Sequence, residues 1–185
     1  MSNSIKIKAP FTKDVAKKLK AGDNVLITGT IIAARDAAHK ALTEALARGE
    51  KLPVELKNET IYYLGQTPAK PGAAIGAAGP TTSGRMDKYT PTILDLGVTG
   101  MVGKGYRSKE VVDSMKKNGT VYMVAIGGAG ALISKTIKKY EVLAYPELGP
   151  EAIARLTVED FPAIVAIDSE GNSFYEVGQK PYAKI

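Results

Sequence analysis

The chain has 185 residues, 44% of them hydrophobic and 24% charged, with no cysteine and a net charge of +6. This mixture can bury a core and excludes intrinsic disorder and collagen-like repeats. The missing thiols exclude disulfides, cysteine nucleophiles and any iron–sulfur cluster held by this chain alone. The positive excess is too small and too scattered for a nucleic-acid surface and suits a small anion better. The opening MSNSIKIKAPF has no apolar stretch before a small-residue cleavage site, which gives the expectation of a cytoplasmic protein. The uncharged stretch 118–134 is interrupted by Gly119, Gly127, Gly128 and Gly130. It falls short of the ~20 apolar residues of a membrane span, so no membrane segment is expected. The length suits one domain over residues 1–185.

Val15 and Leu19, among lysines, predict a short amphipathic turn of helix broken by Ala21-Gly22-Asp23. Residues 24–34 are rich in β-branched side chains and predict a buried strand, with a bulge or a close backbone approach at Gly29. Helical spacing of Ala37, Ala38, Ala41, Leu42, Ala45 and Leu46 predicts a helix over 36–48 that stops at Gly49. A second strand is expected at 61–65, followed from 67 to 84 by a long loop of Pro, Gly, Ala and Thr. Thr90-Pro91 signals the start of a helix running to Gly97, and strand character follows at the start of 98–105. Ser108 caps a helix that Lys116-Lys117-Asn118-Gly119 closes, and TVYMVAI returns as a buried strand. Further strands are expected at 137–144 and 157–167, with 167–175 a hairpin turning at Glu170-Gly171-Asn172. The fold class is mixed α/β.

The glycine-rich turns complete no nucleotide motif. A P-loop ending at 103–105 would need glycine at 98 and a hydroxyl residue at 105, where Val98 and Gly105 stand. Ile133 occupies the third glycine position of a dinucleotide fingerprint. His39 is the sole histidine, three residues from Asp36 on the helix 36–48. No GxSxG elbow accompanies it, and without cysteines a metal shell would rest on carboxylates, so no metal site is assigned. The densest chemistry is GPTTSGRMDKYTP (79–91), where adjacent hydroxyls precede Gly84 and Arg85. It has the make-up of a carboxylate pocket, or else of a capping cluster with a solvated arginine. Arg35 and Lys104, each near the end of a predicted strand, are further cations for one crevice or ordinary surface charges.

This segment, with GTIIAARDAAHK (29–40), MVGKGYRSKEV (101–111), YMVAIGGAGALI (122–133), VLAYPELGPEAI (142–153) and VEDFPAIVAIDSEGNSFY (158–175), resembles the class I, iron–sulfur-dependent fumarate hydratases. More narrowly it is similar to their β subunit or carboxy-terminal domain, a family shared with L(+)-tartrate dehydratase. The resemblance implies a single swivelling β/β/α domain that closes over an α subunit whose cysteines hold a 4Fe-4S cluster, none being bound by this chain. It implies reversible hydration of fumarate to L-malate, with a small dicarboxylate lying between cluster and domain. Thr81, as candidate base, and Arg85 are the implied catalytic residues. Arg35, Thr81, Arg85 and Lys104 are the implied substrate contacts. Asp36 and His39 lie behind them, orienting Arg35 or meeting the partner subunit. A tartrate dehydratase β subunit, or a non-catalytic anion-binding or interaction domain, are the other readings. The isolated chain is open to forming a homo-oligomer through the surface it offers its partner.

Overall fold

The computed structural model describes residues 4–180, so the first three residues of the MSNSIKIKAPF opening and the two ends of the expected 1–185 domain lie outside the described residues. The chain forms β1 (Ile5–Ala9), α1 (Lys13–Ala16), β2 (Asn24–Ala33), α2 (Asp36–Ala47), β3 (Thr60–Tyr62), β4 (Leu64–Gln66) and β5 (Ala78–Pro80). There follow α3 (Thr90–Leu94), β6 (Gly100–Gly103), α4 (Lys109–Asn118), β7 (Val121–Val124), α5 (Gly130–Ile133), β8 (Ile137–Ala144), β9 (Ile153–Ile167) and α6 (Phe174–Val177). Short 3-10 turns occupy Ser83–Met86, Ser134–Thr136 and Pro146–Glu151.

The main sheet runs β1-β2-β3-β6-β7-β9-β8, and β9 also pairs with β2. Strands β2, β3, β6, β7 and β9 therefore close on themselves. β1, β2, β3, β6 and β7 pair in parallel, and β9 runs antiparallel to β2, β7 and β8. Strand alternation sorts the apolar side chains into two clusters. Val25, Ile27, Ile31, Tyr62, Val102, Met123, Leu156 and Phe161 pack together between the strands. Their neighbours Ile32, Ile61, Met101, Tyr122 and Ile167 face outward and are covered by Leu42 of α2, Ile93 of α3 and Met115 of α4. The result is a mixed α/β fold dominated by its sheet.

At Gly29 both expected features occur together. The β2–β9 register shifts between Ile27 and Gly29, φ is +126°, and a Cβ there would overlap the Ala9 carbonyl oxygen of β1. Helix α4 begins and ends as its sequence predicts. Ser108 Oγ accepts the Val111 N–H, and Gly119 closes the helix in the left-handed region at φ +68°.

Other segments differ from the sequence expectation. The strand expected at 61–65 divides at Tyr63, because Leu64–Gln66 leaves the main sheet to pair with Ala78–Pro80. The expected long loop 67–84 thus contains β5 and a 3-10 turn. Its Ala-Gly-Pro strand has little intrinsic β preference and is made by pairing with β4. β6 starts at Gly100 rather than 98, since Thr99 Oγ1 donates to the Phe11 carbonyl at 2.8 Å. β9 starts earlier than expected, at Ile153, where β2 and β8 flank it on both sides. The expected hairpin at 167–175 is a turn with one bridge, Ile167 to Ser173, before the chain coils into α6. Buried Asp168 holds that turn by accepting the backbone N–H groups of Glu170 and Asn172, each at 3.0 Å. These hydrogen bonds hold its carboxyl below its ordinary pKa against the opposing effect of burial.

Gly29→Ala is expected to destabilise the fold by about 3 kcal/mol, because strain and overlap act at one atom. Gly49→Ala, where φ is +72° but no atom lies within 4 Å, should cost only about 1 kcal/mol. Urea unfolding midpoints of the two variants check the contrast.

Candidate functional site

Strands β2, β3 and β6 pair in parallel, so the loops that leave their carboxyl ends lie on one side of the sheet. Here the residues just beyond those ends are Arg35 after β2, Tyr63 after β3 and Lys104 after β6. The β4–β5 hairpin folds back over the same end. The Thr81 N–H, one residue past β5, donates to the Tyr63 carbonyl at 2.8 Å. The chain then runs beside the β6 exit, with the Lys104 N–H donating to the Thr81 carbonyl and the Ser83 N–H to the Lys104 carbonyl. Thr81 and Lys104 are thereby fixed side by side. This close approach depends on Gly103, where a Cβ would overlap Ser83 Oγ.

Arg35 and Arg85 come from different loops and meet at one carboxylate. Asp36 Oδ2 accepts Arg35 Nε at 3.2 Å, and Asp36 Oδ1 accepts Arg85 Nε at 2.7 Å. Glu151, from the turn between β8 and β9, pairs with Arg35 Nη2 at 2.9 Å and accepts the Ala37 N–H at 2.7 Å. The Thr81 hydroxyl and the Lys104 ammonium have no partner of their own among the described residues. The structure thus joins Arg35 to Arg85 through Asp36 and Thr81 to Lys104 through backbone hydrogen bonds, both pairs on the loops at the strand ends. This strand-end rim is open: the Arg85 side chain is 53% exposed, against 21% for Arg35. Exposed Tyr106 and Ile126 stand on the same strand-end loops.

His39, three residues from Asp36 in sequence, bonds elsewhere. Its Nδ1 lies 3.0 Å from the Arg35 carbonyl, not on Asp36, and its ring packs edge-on against Tyr63 at 5.4 Å. It is fully buried, so of its two expected roles only the orienting of Arg35 is open to it. Burial, reinforced by the charge of Arg107, lowers its pKa from 6.5 to about 4, and the backbone hydrogen bond only partly opposes this.

The sequence reading missed the support beneath the rim. The Arg107 side chain is wholly buried. Its Nε donates to Asp87 at 2.8 Å, its Nη1 to the Tyr63 hydroxyl and its Nη2 to Thr90 Oγ1. Its guanidinium also lies against the rings of Tyr63 and Tyr122. Burial works against the charge, yet Tyr63 and Asp87 hold its pKa above the ordinary value. The other Asp87 oxygen accepts the Ser108 N–H at 2.6 Å. The Tyr122 hydroxyl lies 2.9 Å from Ser83 Oγ and 2.8 Å from the Gly105 carbonyl. One buried cation thus joins the loop of Thr81 and Arg85 to the loop of Lys104. In sequence, Arg107 beside a helix cap reads as a surface charge, and no local signal marks it otherwise.

Clefts lie elsewhere among the described residues. One, polar and of about 600 Å³, is lined by Glu55, Lys57, Glu59 and Arg155, and an apolar one of about 250 Å³ lies beside Val25, Ile126 and Leu132. Among the described residues no group of three or more His, Cys, Asp or Glu side chains could hold a metal ion, and no helix is long and apolar enough to cross a membrane.

Several known proteins have similar sequences. The chain is 45% identical over 152 residues to "Fumarate hydratase class I, aerobic" of Salmonella typhimurium, covering 81% of this chain and 26% of that protein. It is 42% identical over 179 residues to "Fumarate hydratase 2" of Leishmania major, covering 94% of this chain and 31% of that protein. With the "Putative L(+)-tartrate dehydratase subunit beta" of Methanocaldococcus jannaschii it shares 41% over 182 residues, covering 95% and 93%. The chain therefore spans about a third or less of those two fumarate hydratases but nearly the whole of the Methanocaldococcus protein. The names of these relatives are those of hydro-lyases. Residues 1–178 match the family described as Fumarase C-terminus, and the chain belongs to that family.

Because the folded pKa of His39 lies below its unfolded value, the unfolded chain binds more protons between pH 6.5 and 4. The stability contributed by neutral His39 is complete above pH 6.5 and is lost as pH falls through that window, by up to about 3 kcal/mol. His39→Gln should flatten this part of the profile, as read by urea unfolding at pH 7 and pH 5.

Proposed function

We propose that this chain is the β-type subunit of a cytoplasmic hydro-lyase, a swivelling domain that completes the active site of a cluster-bearing α subunit and reversibly hydrates fumarate to L-malate. The observation that supports this best is the shared Asp36 carboxylate, which gathers Arg35 and Arg85 at strand-end loops that also carry Thr81 and Lys104, whose hydroxyl and ammonium have no partners among the described residues. Two arginines and a lysine suit a dianion, and planar guanidinium groups match carboxylates in pairs of hydrogen bonds. Exposed Tyr106 and Ile126 beside an open rim accord with a face that a second polypeptide covers.

In this reading Arg35 and Arg85 hold the substrate carboxylates and stabilise the charge that gathers on one of them as the neighbouring carbon loses its proton. Thr81 Oγ1 receives that proton. A free hydroxyl is a poor base, so a carboxylate of the partner would take up its proton, and the positive charge of Arg85 and Lys104 favours the alkoxide so formed. Asp36 keeps the two arginines at a fixed spacing. With no cysteine and no metal-holding group among its described residues, the chain does not itself fit a 4Fe-4S cluster, which we assign to the α subunit.

A second reading, the same chemistry on L(+)-tartrate, is favoured by the 93% coverage of the Methanocaldococcus protein, whose name is that of a β subunit. Assaying fumarate, L-malate and L(+)-tartrate on the anaerobically reconstituted pair separates the two.

In that pair, Thr81→Ala should leave the assembly and its iron content intact while lowering turnover at least about a thousandfold. Near-normal turnover would remove Thr81 as base. Arg85→Lys should chiefly raise KM through loss of paired hydrogen bonds. The chain alone should show no hydratase activity, and measurable activity without a partner would contradict the shared site.

A further inference from the structure

We infer that Glu151 is a positioning residue of this site: it clamps the Arg35 guanidinium so that its Nη1 edge faces the ligand. The inference rests on the hydro-lyase reading for the ligand's identity, but the clamp itself is geometry. Arg35 stands in extended backbone at φ −137° immediately before α2, and a long side chain there is free to sweep a wide arc. Two carboxylates stop it. Asp36 takes Nε at 3.2 Å, and Glu151 takes Nη2 at 2.9 Å from a turn more than a hundred residues further along the chain. Nη1 makes no hydrogen bond among the described residues. It lies beside Gly65 of β4, where a Cβ would stand in ordinary contact at 3.4 Å, so the β4–β5 hairpin flanks this edge of the guanidinium.

A carboxylate beside an anion site would ordinarily repel the ligand. The Glu151 charge is compensated locally, because its Oε2 accepts the Ala37 N–H in the first turn of α2 while its Oε1 meets Arg35. What remains is its effect on orientation. Glu151 also comes from the β8–β9 connection, so β2, the β4–β5 hairpin and the β8–β9 turn all converge on one guanidinium.

Glu151→Gln separates the clamp from the helix contact, since an amide oxygen still accepts the Ala37 N–H but carries no charge for Arg35. In the reconstituted enzyme the expected result is a KM for the dicarboxylate raised about tenfold, kcat within about twofold and an unchanged thermal midpoint. Arg35→Ala combined with Glu151→Gln should be no worse than Arg35→Ala alone, because the two act as one unit. On the full chain, the Arg35 guanidinium N–H signals in nitrogen-15 NMR should be displaced from those of free arginine and should move toward them in Glu151→Gln. An unchanged or lowered KM, additive losses in the double variant, or free-arginine signals in the unsubstituted chain would each overturn the clamp. If the unsubstituted assembly turns over neither fumarate, L-malate nor L(+)-tartrate while the NMR signals behave as described, the hydro-lyase reading fails and the clamp stands.

Discussion

Two arginines from loops fifty residues apart share the two oxygens of one aspartate, and the arrangement of the candidate site depends on that sharing. Guanidinium groups repel each other, so Arg35 and Arg85 can stay together only around a carboxylate, supplied here by the chain as Asp36. Asp36 in turn begins α2, where a negative charge is favoured by the first-turn N–H groups. The side chain that gathers the cations therefore also suits the start of the helix that carries it, and a change at this position would disturb both.

Beneath this exposed pairing lies a second, buried one. Arg107 and Asp87 hold together the two loops that carry Thr81, Arg85 and Lys104, with Tyr63 and Tyr122 on the flanks of the guanidinium. A buried ion pair is costly to desolvate, and its retention is better explained by the geometry it enforces than by net stability. The upper layer is half open to solvent and the lower one closed, which lets charged groups face a ligand while their backbones stay rigid. Neutral His39, wedged between the Arg35 carbonyl and the Tyr63 ring, connects the layers.

Much of the local structure was legible in the sequence because it is written locally. The cap and stop of α4, the apolar spacing of α2 and the glycine of β2 each report a nearby physical requirement. β5 was not legible, since Ala-Gly-Pro becomes a strand only by pairing with β4, nor was the closure of the sheet through β2 and β9. The cations of the rim stood out by residue type and by resemblance. Glu151, Asp87 and Arg107 did not, because what distinguishes them is a partner far away in sequence and, for Arg107, a burial that its charge gives no reason to expect.

In the proposed function, Arg35, Thr81, Arg85 and Lys104 together receive a dicarboxylate in an assembly with a second polypeptide. The most direct measurement is a structure of that assembly with a four-carbon dicarboxylate bound. The ligand's carboxylates are expected on Arg35 Nη1 and Arg85, with its carbon chain beside Thr81 Oγ1. A ligand bound to the assembly away from this rim, or a partner docked on another face of the sheet, would contradict it.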